Sequence, residues 1–166
     1  MRRPWRRRIA TSREDPYWDA FIFSPPADPN NSIPHAFKQA SVGGVNPVRT
    51  TVHSPNVMSQ QVIDLGKFYG AEQVGIVQLD SDRFGIVCTV VTDYDPEVAP
   101  GIGGQTPAMK GLFASFTLAA FIRELGYTAN CVEREDAIEL AQRARLRVDG
   151  RYVAEIIETD LPLEPR

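Results

Sequence analysis

Hydrophobic and polar positions alternate most regularly after Ser54. SPNVMSQQVIDLGKFYGA places Val57, Met58, Val62, Leu65 and Phe68/Tyr69 on a stripe of helical period, which predicts an amphipathic helix. Ser54 is positioned to cap it, with Pro55 at the first helical position and Gly70 as its stop. EQVGIVQLD predicts a short strand, followed by a turn at SD. RFGIVCTVVTDY is almost continuously β-branched and aromatic, the pattern of a central strand covered on both faces. After the loop DPEVAPGIGGQ, Thr106 as cap and Pro107 at the first helical position predict a long helix. It ends at Arg123–Glu124–Leu125, with Gly126 beyond the end. Between Gly111 and Ile122 it is apolar on nearly every side, which predicts a central helix covered all round. YTANCVE then predicts a strand, REDAIELAQRARL an amphipathic helix, VDG a turn and RYVAEIIETD a last strand. The order helix–strand–strand–helix–strand–helix–strand points to an α+β fold, an α/β sandwich of one sheet flanked by helices. It does not match the strict alternation of a Rossmann chain.

The first 55 residues have another character. FSPPADPNNSIPH is turn and loop chemistry, yet Trp5, Tyr17, Trp18, Phe21, Phe23 and Phe37 supply aromatic anchors that a disordered tail would lack. Residues 1–55 therefore read as an extended, proline-rich arm laid over a core or a partner subunit, and 56–166 as the folded domain.

Composition narrows the function classes. With 166 residues, 43% hydrophobic and 23% charged, the chain reads as one soluble domain. A net charge of -3 argues against nucleic acid as the partner of the whole chain. MRRPWRRR nevertheless packs five arginines into the first eight residues, either a solvated tail or a docking arm for an acidic partner. No apolar run follows it as a secretory signal requires, and no stretch reaches the roughly 20 apolar residues of a membrane span. A cytoplasmic location is the expectation.

Chemistry-bearing residues are few. Gly101, Gly103 and Gly104 precede the long helix, and the loop Gly103, Gly104, Gln105 and Thr106 is the candidate cofactor-binding segment. Helix N-termini present unpaired N–H groups and a positive dipole to an anion or a polar cofactor edge. The alternative is that the glycines allow tight approach to a buried helix; neither dinucleotide nor P-loop spacing is present. Asp80, Asp82, Asp93 and Asp95 fall at strand ends, with Asp93, Tyr94 and Asp95 open to acid–base work or to ordinary turn roles. Cys88 and Cys131 lie in strand-like runs without CxxC spacing or a nearby His, so buried free thiols are expected and no metal ligands. His35 and His53 read as loop residues.

Three stretches in series resemble the reductive dehalogenases, corrinoid and iron–sulfur enzymes that remove halogens from organic substrates. They are VIDLGKFYGAEQVGIVQLD, then FASFTLAAFIRELGYTA, then VAEIIETDLPLEP. Together they cover roughly Ser54 to Pro165. The resemblance implies a nitroreductase-like fold, a mixed sheet flanked by helices that holds the corrinoid, so cobalamin is the implied cofactor. It also implies cysteine clusters after TDLPL. The sequence here ends at Arg166, and no iron–sulfur cluster is expected on this chain. Where the family places a proton-donating tyrosine, counting back from FIR leads to Ala108. NCVEREDAIELAQRA replaces the family's polar pocket loop, and LRVDGRY its glycine-rich loops. The expectation is a catalytically degenerate or partial corrinoid-fold subunit, with no catalytic residue retained. It would work with a second subunit or domain carrying iron–sulfur clusters, or as a homo-oligomer. A small corrinoid- or flavin-dependent reductase using Asp93, Tyr94 or Asp95, and a structural subunit without cofactor, are the alternatives.

Overall fold

The computed structural model describes residues 16–92, 94, 98–149 and 152–166. The arginine-rich start with Trp5, the pair Asp93 and Asp95, and Gly150 of the VDG turn lie outside the described residues. Nine regular elements follow in order among those described: α1 (Pro16–Phe23), α2 (Ile33–Gln39), α3 (Pro55–Phe68), β1 (Gln73–Gln78), β2 (Phe84–Val91), α4 (Thr106–Glu124), β3 (Ala129–Val132), α5 (Ala137–Arg143) and β4 (Tyr152–Thr159). From α3 onward this is the predicted order. The arm carries α1 and α2, joined through a short 3-10 turn at Pro29–Asn31, and 40–54 run without helix or strand.

The sheet order is β1-β2-β4-β3, antiparallel at every ladder, where the resemblance implied a mixed sheet. The reason is topological. β2 and β3, joined by α4, point the same way, but β4 inserts between them and takes both edges, a split β-α-β arrangement. Strand parity sorts the side chains into two layers. Val74, Ile76, Phe84, Ile86, Cys88 and Ile157 face α3 and α4, and form the larger core with Val62, Ala114, Leu118 and Ile122. Val77, Val87 and Ile156 face α5, where Leu140, Ala141 and Ala144 cover them. β2 is buried along almost its whole length, as its sequence predicts.

Caps explain where the helices begin and end. The Ser54 hydroxyl accepts the Val57 N–H at 3.3 Å, and Gly70 closes α3 in the left-handed region at φ 112°. Thr106 does not cap α4. The glycine loop already winds into turns, Gln105 stands at the cap position without a side-chain bond to the helix's N–H groups, and the Thr106 hydroxyl donates back to the Gly103 carbonyl at 2.8 Å. Nor is α4 covered all round: α2 and α3 flank it, and Phe113 and Phe121 remain 46% and 37% exposed on its outer face. His35 lies inside α2, where Ser32 and Pro34 start a helix, with its Nε2 2.7 Å from Gln39 Nε2. α5 is shorter than its apolar pattern, because Arg145 takes a left-handed φ of 57° and ends it.

The motifs behind the family resemblance meet in space and bond one another. Asp160 of TDLPL accepts the Thr128 N–H at 2.7 Å and the Thr128 hydroxyl at 2.8 Å, while the Thr159 hydroxyl donates to the Thr128 carbonyl at 2.6 Å. Buried Arg123 donates to the Ala129 carbonyl at 2.6 Å, and the Tyr127 hydroxyl donates to the Thr50 carbonyl at 2.7 Å. Beyond β4, Arg166 exchanges backbone bonds of 2.8 and 2.9 Å with Ile76 of β1.

Candidate functional site

Two places near the start of α4 offer candidate chemistry. The first is the glycine loop. The Gly101 N–H donates to the Ile22 carbonyl and the Gly103 N–H to the Phe21 carbonyl, each at 2.8 Å, so the orphan carbonyls at the end of α1 receive the loop's donors. A Cβ on Gly101 would overlap the α1 backbone, one on Gly103 the Phe21 ring, and one on Gly104 the Ala99 carbonyl. Gln105 donates to the Pro100 carbonyl at 2.8 Å and accepts the Ser32 hydroxyl at 2.9 Å. Thus Gly103, Gly104, Gln105 and Thr106 do come together, with their polar groups turned to the arm and to each other. Fully buried Ile22 anchors α1 in this seat.

The second place is a cavity of about 650 Å³, one turn further along α4. Pro34, Phe37 and Lys38 of α2 form one wall, and Ala108, Leu112, Ser115 and Phe116 of α4 another. Cys131, Glu133 and Arg134 bound it from β3 and the residues after it, and Glu155 enters from β4. Phe37 meets Phe116 edge to face, with ring centroids 5.7 Å apart. Glu155 stands beneath Gly111, where a Cβ would lie 3.0 Å from its Cγ; the missing side chain leaves the carboxyl its room.

Glu155 shares the strand face of Ile157, which belongs to the core. Burial lifts its pKa to about 7, with Lys38 opposing the shift and Glu133 adding to it. Burial also raises the Cys131 thiol, partly offset by a hydrogen bond with Ser115. Cys88, fully buried, is pushed up to about 12 by burial. Both cysteines are free, but Cys131, on the edge strand β3, is exposed as a residue even though its thiol is largely withdrawn from water. The cationic groups at the mouth are paired: Lys38 with Glu133, and Arg134 with Asp136 at 2.7 Å and Glu158 at 2.6 Å.

The other candidates from the sequence fall elsewhere. Asp80 and Asp82 are exposed at the β1–β2 turn, Asp80 lying 4.0 Å from Arg83. Tyr94 packs edge-on against Phe23 of α1 at 6.1 Å. Sequence reasoning missed Glu155. Its signal was available: in VAEIIET it occupies the same parity as Val153, Ile157 and Thr159, a charged residue in a core-facing register.

No protein-family profile matches the chain, and no curated protein matches it. Solved structures do. A reductive dehalogenase whose structure suggests a mechanism for B12-dependent dehalogenation superposes with a TM-score of 0.65 at 23% identity, over 87% of this chain and 26% of that one. The catabolic reductive dehalogenase NpRdhA in complex with 3-bromo-4-hydroxybenzoic acid superposes with a TM-score of 0.64 at 22% identity, over 87% of this chain and 27% of that one. The chain has a reductive dehalogenase-like fold. It spans about a quarter of the length of those proteins. Among the described residues, no helix is long and apolar enough to cross a membrane, and no group of three or more His, Cys, Asp or Glu is placed to hold a metal ion.

Proposed function

We propose that this chain is a catalytically degenerate, corrinoid-fold domain that works with a redox partner carrying iron–sulfur clusters. The observation that carries the reading is the state of the loop Gly103, Gly104, Gln105 and Thr106. Its neighbours on the corrinoid side of the resemblance would be backbone N–H groups, and those of Gly101 and Gly103 are bonded to α1. With α1 seated, these residues do not fit a corrinoid edge. They fit one only after α1 has left. Ala108 supports the same reading, because it lines the cavity where the resemblance implies a proton-donating tyrosine. The two cysteines supply no cluster ligand set either, one being buried on β2 and the other exposed on β3.

One observation favours the alternative of a small corrinoid- or flavin-dependent reductase. Glu155, with a pKa of about 7, is a carboxyl poised to take up or release a proton near neutral pH.

Titration of the full chain with hydroxocobalamin and with FMN, followed by visible spectroscopy, separates the readings. The wild type is expected to leave both spectra unchanged, while Ile22→Asp, which forces α1 off the loop, shows saturable corrinoid binding. Neither form is expected to release bromide from 3-bromo-4-hydroxybenzoate with a low-potential chemical reductant present. Bromide release would establish the reductase instead, and no binding by either form would leave the structural subunit.

A further inference from the structure

The cavity carries an inference independent of the corrinoid reading. Glu155 is its only charged side chain, among the described residues, without a hydrogen bond or ion pair to the protein. Every other charge there is engaged. Lys38 is bonded to Glu133, Arg134 to Asp136 and Glu158, and buried Arg123 donates to the Ala129 carbonyl. The thiols of Cys88 and Cys131 lie nearby and are held protonated at neutral pH by burial. A half-buried carboxylate of this kind gains most from a donor that brings its own positive charge, because charge-assisted hydrogen bonds are about twice as strong as neutral ones. Phe37 and Phe116 add aromatic faces that attract a cation and exclude water. The volume, about 650 Å³, lies in the range of roughly 300–1,000 Å³ occupied by small-molecule sites.

We propose that this cavity binds a small organic cation, a primary amine with an aromatic or branched apolar body. Glu155 is the counter-ion, and Phe37, Leu112 and Phe116 are the apolar walls. Gly111 is the positioning element, since any side chain there would press on Glu155 and close the space above it. An anion of the same shape is rejected by the same carboxylate.

Isothermal titration of the full chain at pH 8 tests this with benzylamine as the cation and with benzyl alcohol and benzoate as isosteres. Benzylamine is expected to bind at one site, about tenfold or more tighter than benzyl alcohol, with benzoate not binding. Glu155→Gln is expected to lose about the same factor. Bound benzylamine slows alkylation of Cys131 by iodoacetamide, which places it in this cavity, while buried Cys88 stays unlabelled as an internal control. Should Glu155→Gln not fold, the wild type decides. Benzylammonium keeps its charge from pH 5.5 to 8, so its affinity must rise across that window as Glu155 ionises. Of its other neighbours, Glu133 is held down by Lys38, Arg134 is held up by Asp136 and Glu158, and both thiols are raised by burial, each shift leading away from that window. Equal binding of the alcohol, tighter binding of benzoate, affinity unchanged in Glu155→Gln, affinity independent of pH, or binding without protection of Cys131 would each overturn the proposal.

Discussion

The glycine loop and the cavity lie a turn apart on α4 and both lean on the N-terminal arm, but the arm treats them oppositely. α1 fills the loop: its last carbonyls take the Gly101 and Gly103 N–H groups, and Phe21 occupies the space that a side chain on Gly103 would need. α2 only walls the cavity, leaving Glu155 without a hydrogen bond or ion pair among the described residues. The cluster of glycines packs tightly against α1, while one acid in an apolar strand faces an open cavity. Glycine is required wherever two backbones approach closely, whether or not a ligand is near. A half-buried carboxylate without a hydrogen bond or ion pair has lost part of its hydration without a compensating contact.

The comparison breaks most visibly at the closed end. Gly101→Val drives a side chain into the α1 backbone, and overpacking of this kind costs about 1–3 kcal/mol. Urea unfolding should show the loss, and limited proteolysis should cut the arm while the sheet stays protected. If α1 remained protected, close approach would not be what holds it.

At the open end the signature is electrostatic. The folded-state pKa of Glu155, about 7, is above the ordinary carboxyl value, so its contribution to stability is fully present below about pH 4.5 and is lost as pH rises through 7. At most about 3 kcal/mol is at stake, and the difference between wild type and Glu155→Gln across pH 4–8 isolates it from the other carboxylates. Those pull the other way: Asp136, held down by Arg134, is stabilising above its unfolded value. A flat difference curve would mean that Glu155 is solvated like a surface acid.

Smaller effects sharpen the picture. Iodoacetamide should modify Cys131 and spare Cys88 in the native protein. Glu155→Gln should speed Cys131 modification several-fold, since the carboxylate raises that thiol. Mass spectrometry of the two peptides reads both outcomes, and equal labelling would place neither thiol as described. Lys38→Ala is the mildest change. Unfolding midpoints should stay within error because the Lys38–Glu133 pair is exposed. The titration of Glu155 should nonetheless move upward as its opposing cation is lost.

Much of the fold was legible because periodicity and caps are local. Ser54, Pro55 and Gly70 bound α3 as read, and the unbroken apolar run of β2 announced a strand paired on both edges. The motifs FIRELGYTA and TDLPL were also legible, and the structure shows what they do. Thr128, Thr159 and Asp160 bond one another where α4 turns into β3, so the strongest family signal is scaffold. The site was less legible. Thr106 met every local rule for a cap yet serves the loop behind it, and the outer face of α4 is left partly exposed where, among the described residues, only the helices α2 and α3 flank it.

By itself, then, the sequence determined the α+β succession, the ends of α3 and the far end of α4. These depend on spacing, propensity and backbone conformation within a few residues. Only the tertiary structure decided that β4 inserts between β2 and β3, that α1 closes the glycine loop, and that Glu155 faces a cavity across from Phe37 and Phe116. Each of those joins residues dozens of positions apart. Whether a group is buried, paired or open is set by what packs against it from elsewhere in the chain.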